Sequence, residues 1–204
     1  MRKHMTRAIG DALAADPRLA YIGEDVEHGG YYNVTEGLAA RFPGRVRDFA
    51  PDETALVGAG IGFAQAGLLP VVEIPYAKYL DCGADQFHEA ATMHWLTNGG
   101  RPNGLVLRLQ GFDKGAFVGG DGRARVADEA EALSLPAGVF GGNYHTHNAL
   151  SLPPGLDVVC HSNGADWARG WRFALRAAAA GRVVTGVGRD GDEAEAPALP
   201  SGAS

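Results

Sequence analysis

Glu53, an acid of this 204-residue chain, occupies a position where two roles are open. It follows the loop Ala50-Pro51-Asp52 and lies in the first turn of a predicted helix with Asp52 as its N-cap, at the carboxyl edge of a predicted sheet. An acid in a first helical turn usually complements the helix dipole at the surface. The same position also suits a buried carboxyl group that shares a proton with a ring nitrogen, if a partner surface covers it.

Residues 141–148, Gly-Gly-Asn-Tyr-His-Thr-His-Asn, place two histidines in a glycine-led turn. A His-x-His pair can ligate a metal ion, but no carboxylate or cysteine can be assigned beside it, so we expect no metal site. His145 and His147 then have two interpretations of equal weight. They are loop histidines for proton transfer or substrate binding, or they are hydrogen-bonded structural residues.

Composition excludes several classes of function. The net charge is -6 and the basic residues are scattered, which argues against a nucleic-acid partner. No long apolar run or signal peptide is recognised, so no membrane segment is expected. Cys82 and Cys160 lack CxxC spacing and predict two reduced, mostly buried thiols in a cytoplasmic protein.

Apolar runs of strand length alternate with amphipathic segments, which predicts an α/β fold with a mainly parallel sheet and helices on both faces. Ligands would bind at the carboxyl ends of its strands. The predicted strands are 19–23, 46–49, 70–75, 104–109, 156–160 and 183–187. The predicted helices are one capped by Thr6 and ending before Pro17, then 33–42, 52–66, 80–96 and 165–180.

Three glycines interrupt the helix that begins at Glu53. Gly58, Gly60 and Gly62 each cost about 1 kcal/mol relative to alanine in a helix interior, so a compensating contact is expected. Close approach of another backbone explains them, either at a subunit interface or within one domain. Two other segments do not fit the alternation of strands and helices. Residues 110–148 are predicted to form a functional loop, a disordered insert or both, and residues 189–204 are predicted to form a frayed tail.

The order of several motifs resembles the beta subunit of the thiamine-diphosphate-dependent decarboxylating component of pyruvate and branched-chain 2-oxo acid dehydrogenases. The resemblance covers residues 5–187 and implies the pyrimidine-type domain of the thiamine-diphosphate-binding fold. The motifs are Gly23-Glu-Asp-Val26, Asp52-Glu53, Gly58-Ala-Gly-Ile-Gly62, Ala66-Gly67-Leu68-x-Pro70 and Pro153-Pro-Gly-Leu-Asp-Val-Val159.

This resemblance implies a role for each candidate residue. Glu53 would hydrogen-bond N1′ of the aminopyrimidine and favour its imino tautomer, which activates the thiazolium carbon. Glu24 would be a second acid near the pyrimidine, and Tyr76 an aromatic residue that packs against it. His145 would face the substrate, with His147 as a companion.

The resemblance also implies partners. The diphosphate and its magnesium would be held by an alpha-type subunit or a preceding domain, and the acyl product would pass to a lipoyl-bearing acyltransferase. A homodimer or heterotetramer is expected. Gly120-Asp121-Gly122 matches the start of the diphosphate motif of thiamine enzymes, but the helix and asparagine pair that should follow it are missing.

Two departures leave other functions open. Beta subunits of the family continue into a further α/β domain, which we expect this chain to lack, and residues 116–137 look inserted before the histidine segment. A truncated, non-catalytic binding module is therefore an alternative. Transketolase or deoxyxylulose-phosphate synthase chemistry is a further one, although the His145 segment argues against it.

Overall fold

A computed structural model of the chain describes residues 2–31, 33–96, 104–111, 156–161 and 164–189. Six strands form one sheet: β1 Leu19–Gly23, β2 Val46–Asp48, β3 Leu69–Ile74, β4 Leu105–Gly111, β5 Leu156–His161 and β6 Val183–Arg189. Their order is β2-β1-β3-β4-β6-β5, and every neighbouring pair is parallel. The predicted α/β fold with a parallel sheet is confirmed.

Helices cover both faces of this sheet, as predicted. The described helices are α1 Arg2–Ala15, α2 Leu38–Arg41, α3 Glu53–Gln65, α4 Ala84–Leu96 and α5 Gly164–Ala179. One apolar cluster joins the sheet to α1, α2 and α5, and a second joins it to α3 and α4. Val71 belongs to the first cluster and Val72 to the second, as the alternation of side chains along a strand requires.

Helices α1 and α5 pack against each other on one face of the sheet. Trp167 and Trp171 stack with ring centroids 5.1 Å apart. The indole nitrogen of Trp171 donates to the carbonyl of Ala8 at 3.3 Å. A tryptophan that is buried and also hydrogen-bonded fixes the position of α5 against α1.

Two predicted helix boundaries are wrong in the first half of the chain. Helix α1 begins at Arg2, so Thr6 lies inside it and its hydroxyl donates to the Arg2 carbonyl at 3.1 Å. The helix predicted over 33–42 is reduced to α2. Its first half forms turns because Gly37 has a φ of 73° and the Thr35 hydroxyl donates to the Val26 carbonyl at 2.7 Å.

The predicted helix 80–96 begins later than expected, because a 3-10 segment over Ala77–Gly83 precedes α4. This segment packs on the start of α3. A Cβ on Gly83 would lie 2.9 Å from the Glu53 carbonyl oxygen, and the Thr54 hydroxyl donates to the Cys82 carbonyl at 2.9 Å. The Cys82 thiol is exposed, so the prediction of a buried thiol is wrong there.

The glycines of α3 do not share one environment. A Cβ on Gly60 would lie 2.5 Å from Cγ2 of Val72, so Gly60 allows α3 to pack closely on β3 within the domain. Apart from its chain neighbours and the backbone of its own helix, no heavy atom of the described residues lies within 4 Å of a Cβ placed on Gly62, which is exposed. Packing within the domain therefore explains Gly60 but not Gly62.

Strand β4 continues to Gly111, two residues into the segment predicted as a loop. The remainder of that loop, the predicted insert 116–137 and most of the predicted tail lie outside the described residues. Among the helices that the structure describes, none combines the length and apolar character needed to cross a membrane.

Candidate active site

The candidate site lies at the carboxyl ends of three neighbouring strands, β2, β1 and β3. Glu24 directly follows β1, Glu53 follows the loop after β2, and Tyr76 follows β3. In the sheet, β2 lies on one side of β1 and β3 lies on the other side. The connections that leave β1 and β2 therefore run in opposite directions, which makes this edge a topological switch point of the sheet. Ligands of open parallel sheets bind at such a point.

The start of α3 positions Glu53. Asp52 is the predicted N-cap, and its carboxylate accepts a hydrogen bond from the Ala55 amide at 3.0 Å. Glu53 is half-buried in the first turn. Because the 77–83 segment packs against this turn, the backbone that carries Glu53 is held from two sides.

Glu24 is a buried acid beside Glu53. Its Oε1 is buried and has no hydrogen-bond partner among the described residues. Burial, followed by the negative charges of Glu53 and Glu73, raises the pKa of the Glu24 carboxyl to about 7. Glu24 is thus an acid that can hold its proton near neutral pH and offer it to a ligand.

Aromatic side chains line the same edge. The ring of Tyr76 contacts Tyr31 and Tyr79 edge to face, with centroids 5.7 Å and 5.2 Å away. Tyr31 is 52% exposed, and its pKa is raised by burial first and then by the charge of Glu24. Tyr31 and Tyr79 extend the predicted set, and together the three rings offer a surface for a flat ring.

A buried polar cluster beneath this edge was missing from the sequence predictions. The Arg108 guanidinium lies 2.7 Å from the Glu73 carboxylate, and the Tyr21 hydroxyl donates to the same carboxylate oxygen. Burial raises the pKa of Tyr21 well above its ordinary value. The signal in the sequence was one acid and one base, each flanked by apolar residues within its strand.

A second cluster lies where β1 and β2 end. Nδ1 of His28 is 3.3 Å from a carboxylate oxygen of Asp25 and 3.3 Å from one of Asp48. These side chains are close enough to hold a cation. Pairing with His28 already accounts for their proximity, and we assign no metal to them.

The structure brings Glu24, Glu53 and Tyr76 together at one edge. His145 and His147 lie outside the described residues, as does Gly120-Asp121-Gly122. The position of the histidine segment relative to the acids stays a prediction.

The fold and the site define an α/β domain with acids and aromatic rings gathered at the carboxyl edge of its parallel sheet. Residues 1–135 match the family model of the transketolase pyrimidine-binding domain. The chain therefore belongs to this family.

Its relatives include beta subunits of several enzymes. The chain is 30% identical to the beta subunit of acetoin:2,6-dichlorophenolindophenol oxidoreductase from Cupriavidus necator over 174 residues, 79% of this chain and 45% of that subunit. It is 42% identical to the pyruvate dehydrogenase E1 component subunit beta from Leifsonia xyli over 88 residues, 42% of this chain and 26% of that subunit. It is 29% identical to the 2-oxoisovalerate dehydrogenase subunit beta from Bacillus subtilis over 165 residues, 78% and 43% of the two chains.

The predicted resemblance to beta subunits of 2-oxo acid dehydrogenases is confirmed by these relatives. A solved split gene transketolase, an inactive beta4 tetramer, has the same fold with a TM-score of 0.60, at 15% identity over 93% of this chain and 51% of that one. The chain spans less than half the length of the three beta subunits.

Proposed function

We propose that this chain supplies the pyrimidine-binding half of a thiamine-diphosphate-dependent 2-oxo acid dehydrogenase component. The juxtaposition of Glu24 and Glu53 at the switch point, with Tyr76 beside them, supports this proposal most directly. An aminopyrimidine would need acids to hydrogen-bond its polar atoms and aromatic rings to pack against it. This edge offers two acids whose charges interact and a set of aromatic rings.

The residues present fit this ring. Glu53 would share its proton with N1′, which requires a carboxyl group in a site closed to water. Glu24 would lie beside it as a second acid whose pKa of about 7 leaves it partly protonated at neutral pH. Its buried Oε1 has no hydrogen-bond partner among the described residues and would gain a donor from a bound ligand. Tyr76 would pack against the ring.

When bound, thiamine diphosphate supplies a nucleophilic carbon that attacks a carbonyl and accepts the electrons of the broken carbon–carbon bond. The acids at this edge would repel the diphosphate. We therefore place the diphosphate and its magnesium on an alpha-type partner, in a heterotetramer or related assembly. The acyl product would pass to a lipoyl-bearing acyltransferase.

The histidine segment completes the proposal. His145 would face the substrate, and His147 would accompany it. Replacing His145 with alanine should impair decarboxylation or acyl transfer more than cofactor binding. An equal loss of folded protein would instead indicate a structural histidine.

The first test is decarboxylation of pyruvate and branched-chain 2-oxo acids with a dye acceptor, thiamine diphosphate and magnesium. The chain is assayed alone and mixed with the alpha-type protein encoded nearest to it. We expect turnover only in the mixture. In the mixture, Glu53→Gln should lower kcat by at least about 100-fold because glutamine cannot share the proton.

Glu36→Gln is the matched control, because Glu36 is an exposed acid outside the site. Unchanged turnover in Glu53→Gln would refute the role of Glu53. If the wild-type mixture shows no turnover although the protein is folded and the two chains associate, the result would favour a non-catalytic binding module.

An acyloin is a second candidate substrate. The Cupriavidus necator relative, which matches 79% of this chain, is an acetoin oxidoreductase subunit by name. The same assay with acetoin, compared with 2-oxo acids by kcat/KM, decides between the two classes. Both reactions require the same edge of Glu24, Glu53 and Tyr76.

A further inference from the structure

Glu73 is the centre of a buried cluster that joins three strands. It lies opposite Arg108 in the register of β3 and β4, and opposite Gly23 in the register of β1 and β3. Its side chain is 1% exposed and that of Arg108 is 4% exposed. Both the guanidinium of Arg108 and the hydroxyl of Tyr21 bind Oε2 of Glu73.

Such a cluster is not explained by stability alone. A buried ion pair contributes little net stability, because the loss of hydration offsets the attraction, and apolar residues of similar volume often serve as well. The neighbouring residues of β3 and β4 are apolar and buried. The presence of Glu73 and Arg108 among them points to a role in the adjoining site.

Glu73 also supports the loop that carries Glu24 and Tyr31. A Cβ on Gly23, just before this loop, would lie 3.0 Å from Cβ of Glu73. A Cβ on Gly30, near its end, would lie 3.0 Å from Oε1 of Glu73. Gly30 has a φ of 73°, which favours glycine, so the loop passes closely over the Glu73 carboxylate.

The negative charge of Glu73 also acts on the Glu24 carboxyl group. Glu24 faces Glu53 from α3 and Glu73 from β3, and both negative charges oppose its ionisation. Tyr31 and Asp25 belong to its own loop. Arg108 lies on β4, on the other side of β3 from β1, and pairs with the Glu73 carboxylate from there.

We infer that Glu73, held by Tyr21 and Arg108, is a positioning residue that seats the loop of residues 24–31 and sets the charge that Glu24 faces. This inference rests on the proposed function in so far as Glu24 serves a bound cofactor. Glu73 acts through Glu24 and does not itself touch the ligand.

The test is the titration of Glu24 in the chain alone. Carboxyl carbon shifts are followed by NMR on protein labelled at glutamate, with Glu24→Gln assigning the signal. Glu73→Gln keeps the volume and an acceptor for Tyr21 but removes the negative charge. The midpoint of Glu24 should fall by about half to one pH unit, because ionised Glu24 loses a repulsive neighbour.

Amide hydrogen exchange gives a second readout. Exchange in residues 25–35 should quicken about tenfold in Glu73→Gln, while α1 exchanges as in the wild type. Glu36→Gln should change neither readout. If Glu73→Gln does not fold, Glu73→Gln/Arg108→Met removes both buried charges and should also lower the midpoint.

An unchanged midpoint of Glu24 in a folded variant would overturn the inference. If neither variant folds, Glu73 and Arg108 have a structural role only, and the inference fails as well.

The activity of the assembled complex distinguishes failure of this inference from failure of the proposed function. If the midpoint moves but the wild-type complex is inactive, the proposed function fails alone. If the complex is active and the midpoint does not move, the inference fails alone. If both hold, the alkaline limb of the kcat/KM profile should shift to lower pH with the midpoint of Glu24.

Discussion

Glu24 shows how the ionisation of one residue depends on neighbours that are distant in sequence. Its carboxyl group is buried beside Glu53 and Glu73, which come from a helix and a strand later in the chain. The resemblance to a family predicted a second acid here, but the identity of the residue says nothing of its protonation. Burial and two like charges raise its pKa, and only their arrangement in space reveals this.

The raised pKa predicts a stability that depends on pH. Glu24 has an ordinary pKa of 4.5 and a pKa of about 7 in the folded chain. The folded state therefore binds more protons than the unfolded state between these values, and the stability from neutral Glu24 is lost as pH rises through 7. Glu24→Gln should reduce the fall in unfolding free energy between pH 5 and pH 8 by about 2 to 3 kcal/mol.

Urea denaturation of the chain alone at both pH values measures this effect. Glu36→Gln again serves as the control, since Glu36 is exposed and its pair with Arg2 is 3.9 Å long. An equal pH dependence in Glu24→Gln and the wild type would show that folding does not raise the pKa of Glu24.

At the scale of elements, α3 combines two requirements on its glycines. It must approach β3 closely, which Gly60 allows, and it also presents Gly62 outward. The spacing of the glycines predicted close packing but left open which surface they served. The structure assigns Gly60 to the interior because its side of the helix faces Val72.

Alanine substitutions separate the two roles. Gly60→Ala should destabilise the chain by about 1 to 3 kcal/mol, because its new methyl group would overlap Val72. Gly62→Ala should stabilise the isolated chain by up to about 1 kcal/mol, because alanine favours the helix and has open space. Thermal and urea unfolding measure both.

The Gly60→Ala and Gly62→Ala variants also test whether the glycines of α3 lie at a subunit interface. If a partner packs on Gly62, Gly62→Ala should weaken association with the alpha-type protein while the chain itself becomes more stable. Equal stability of the two variants would contradict the assignment of Gly60 to the interior.

At the scale of the whole molecule, the two edges of the sheet differ. Glu24, Glu53 and Tyr76 gather at the carboxyl edge, where the start of α3 and the exposed Cys82 also lie. Leu68 precedes β3 at the amino edge and is 40% exposed. A partner that completes the proposed site should cover the first edge and leave the second accessible.

Thiol alkylation tests this asymmetry. Cys82 should react readily in the chain alone and at least about tenfold more slowly in the complex, with mass spectrometry identifying the modified cysteine. Leu68→Cys in a Cys82→Ser background is the control and should react equally in both states. Equal rates for Cys82 in both states would place the partner elsewhere.

Much of the fold was predictable because it depends on local patterns. The apolar strands, the Asp52 cap and the alternation of strands with helices follow from hydrophobic periodicity and capping. The failure over 33–42 has another cause, because contacts such as the bond from the Thr35 hydroxyl to Val26 outweighed helix propensity there. At Thr6 the helix continues further toward the N-terminus, and the hydroxyl bonds to the Arg2 carbonyl within α1 instead of capping it.

The sequence by itself determined the family, the parallel α/β architecture and the candidate acids, since motif order and periodicity are properties of the linear chain. Only the tertiary structure decided that the pKa of Glu24 is raised to about 7 and that Glu73, Arg108 and Tyr21 form one buried cluster. Both results depend on desolvation and on distances between strands far apart in sequence. Those quantities exist only once the sheet has formed.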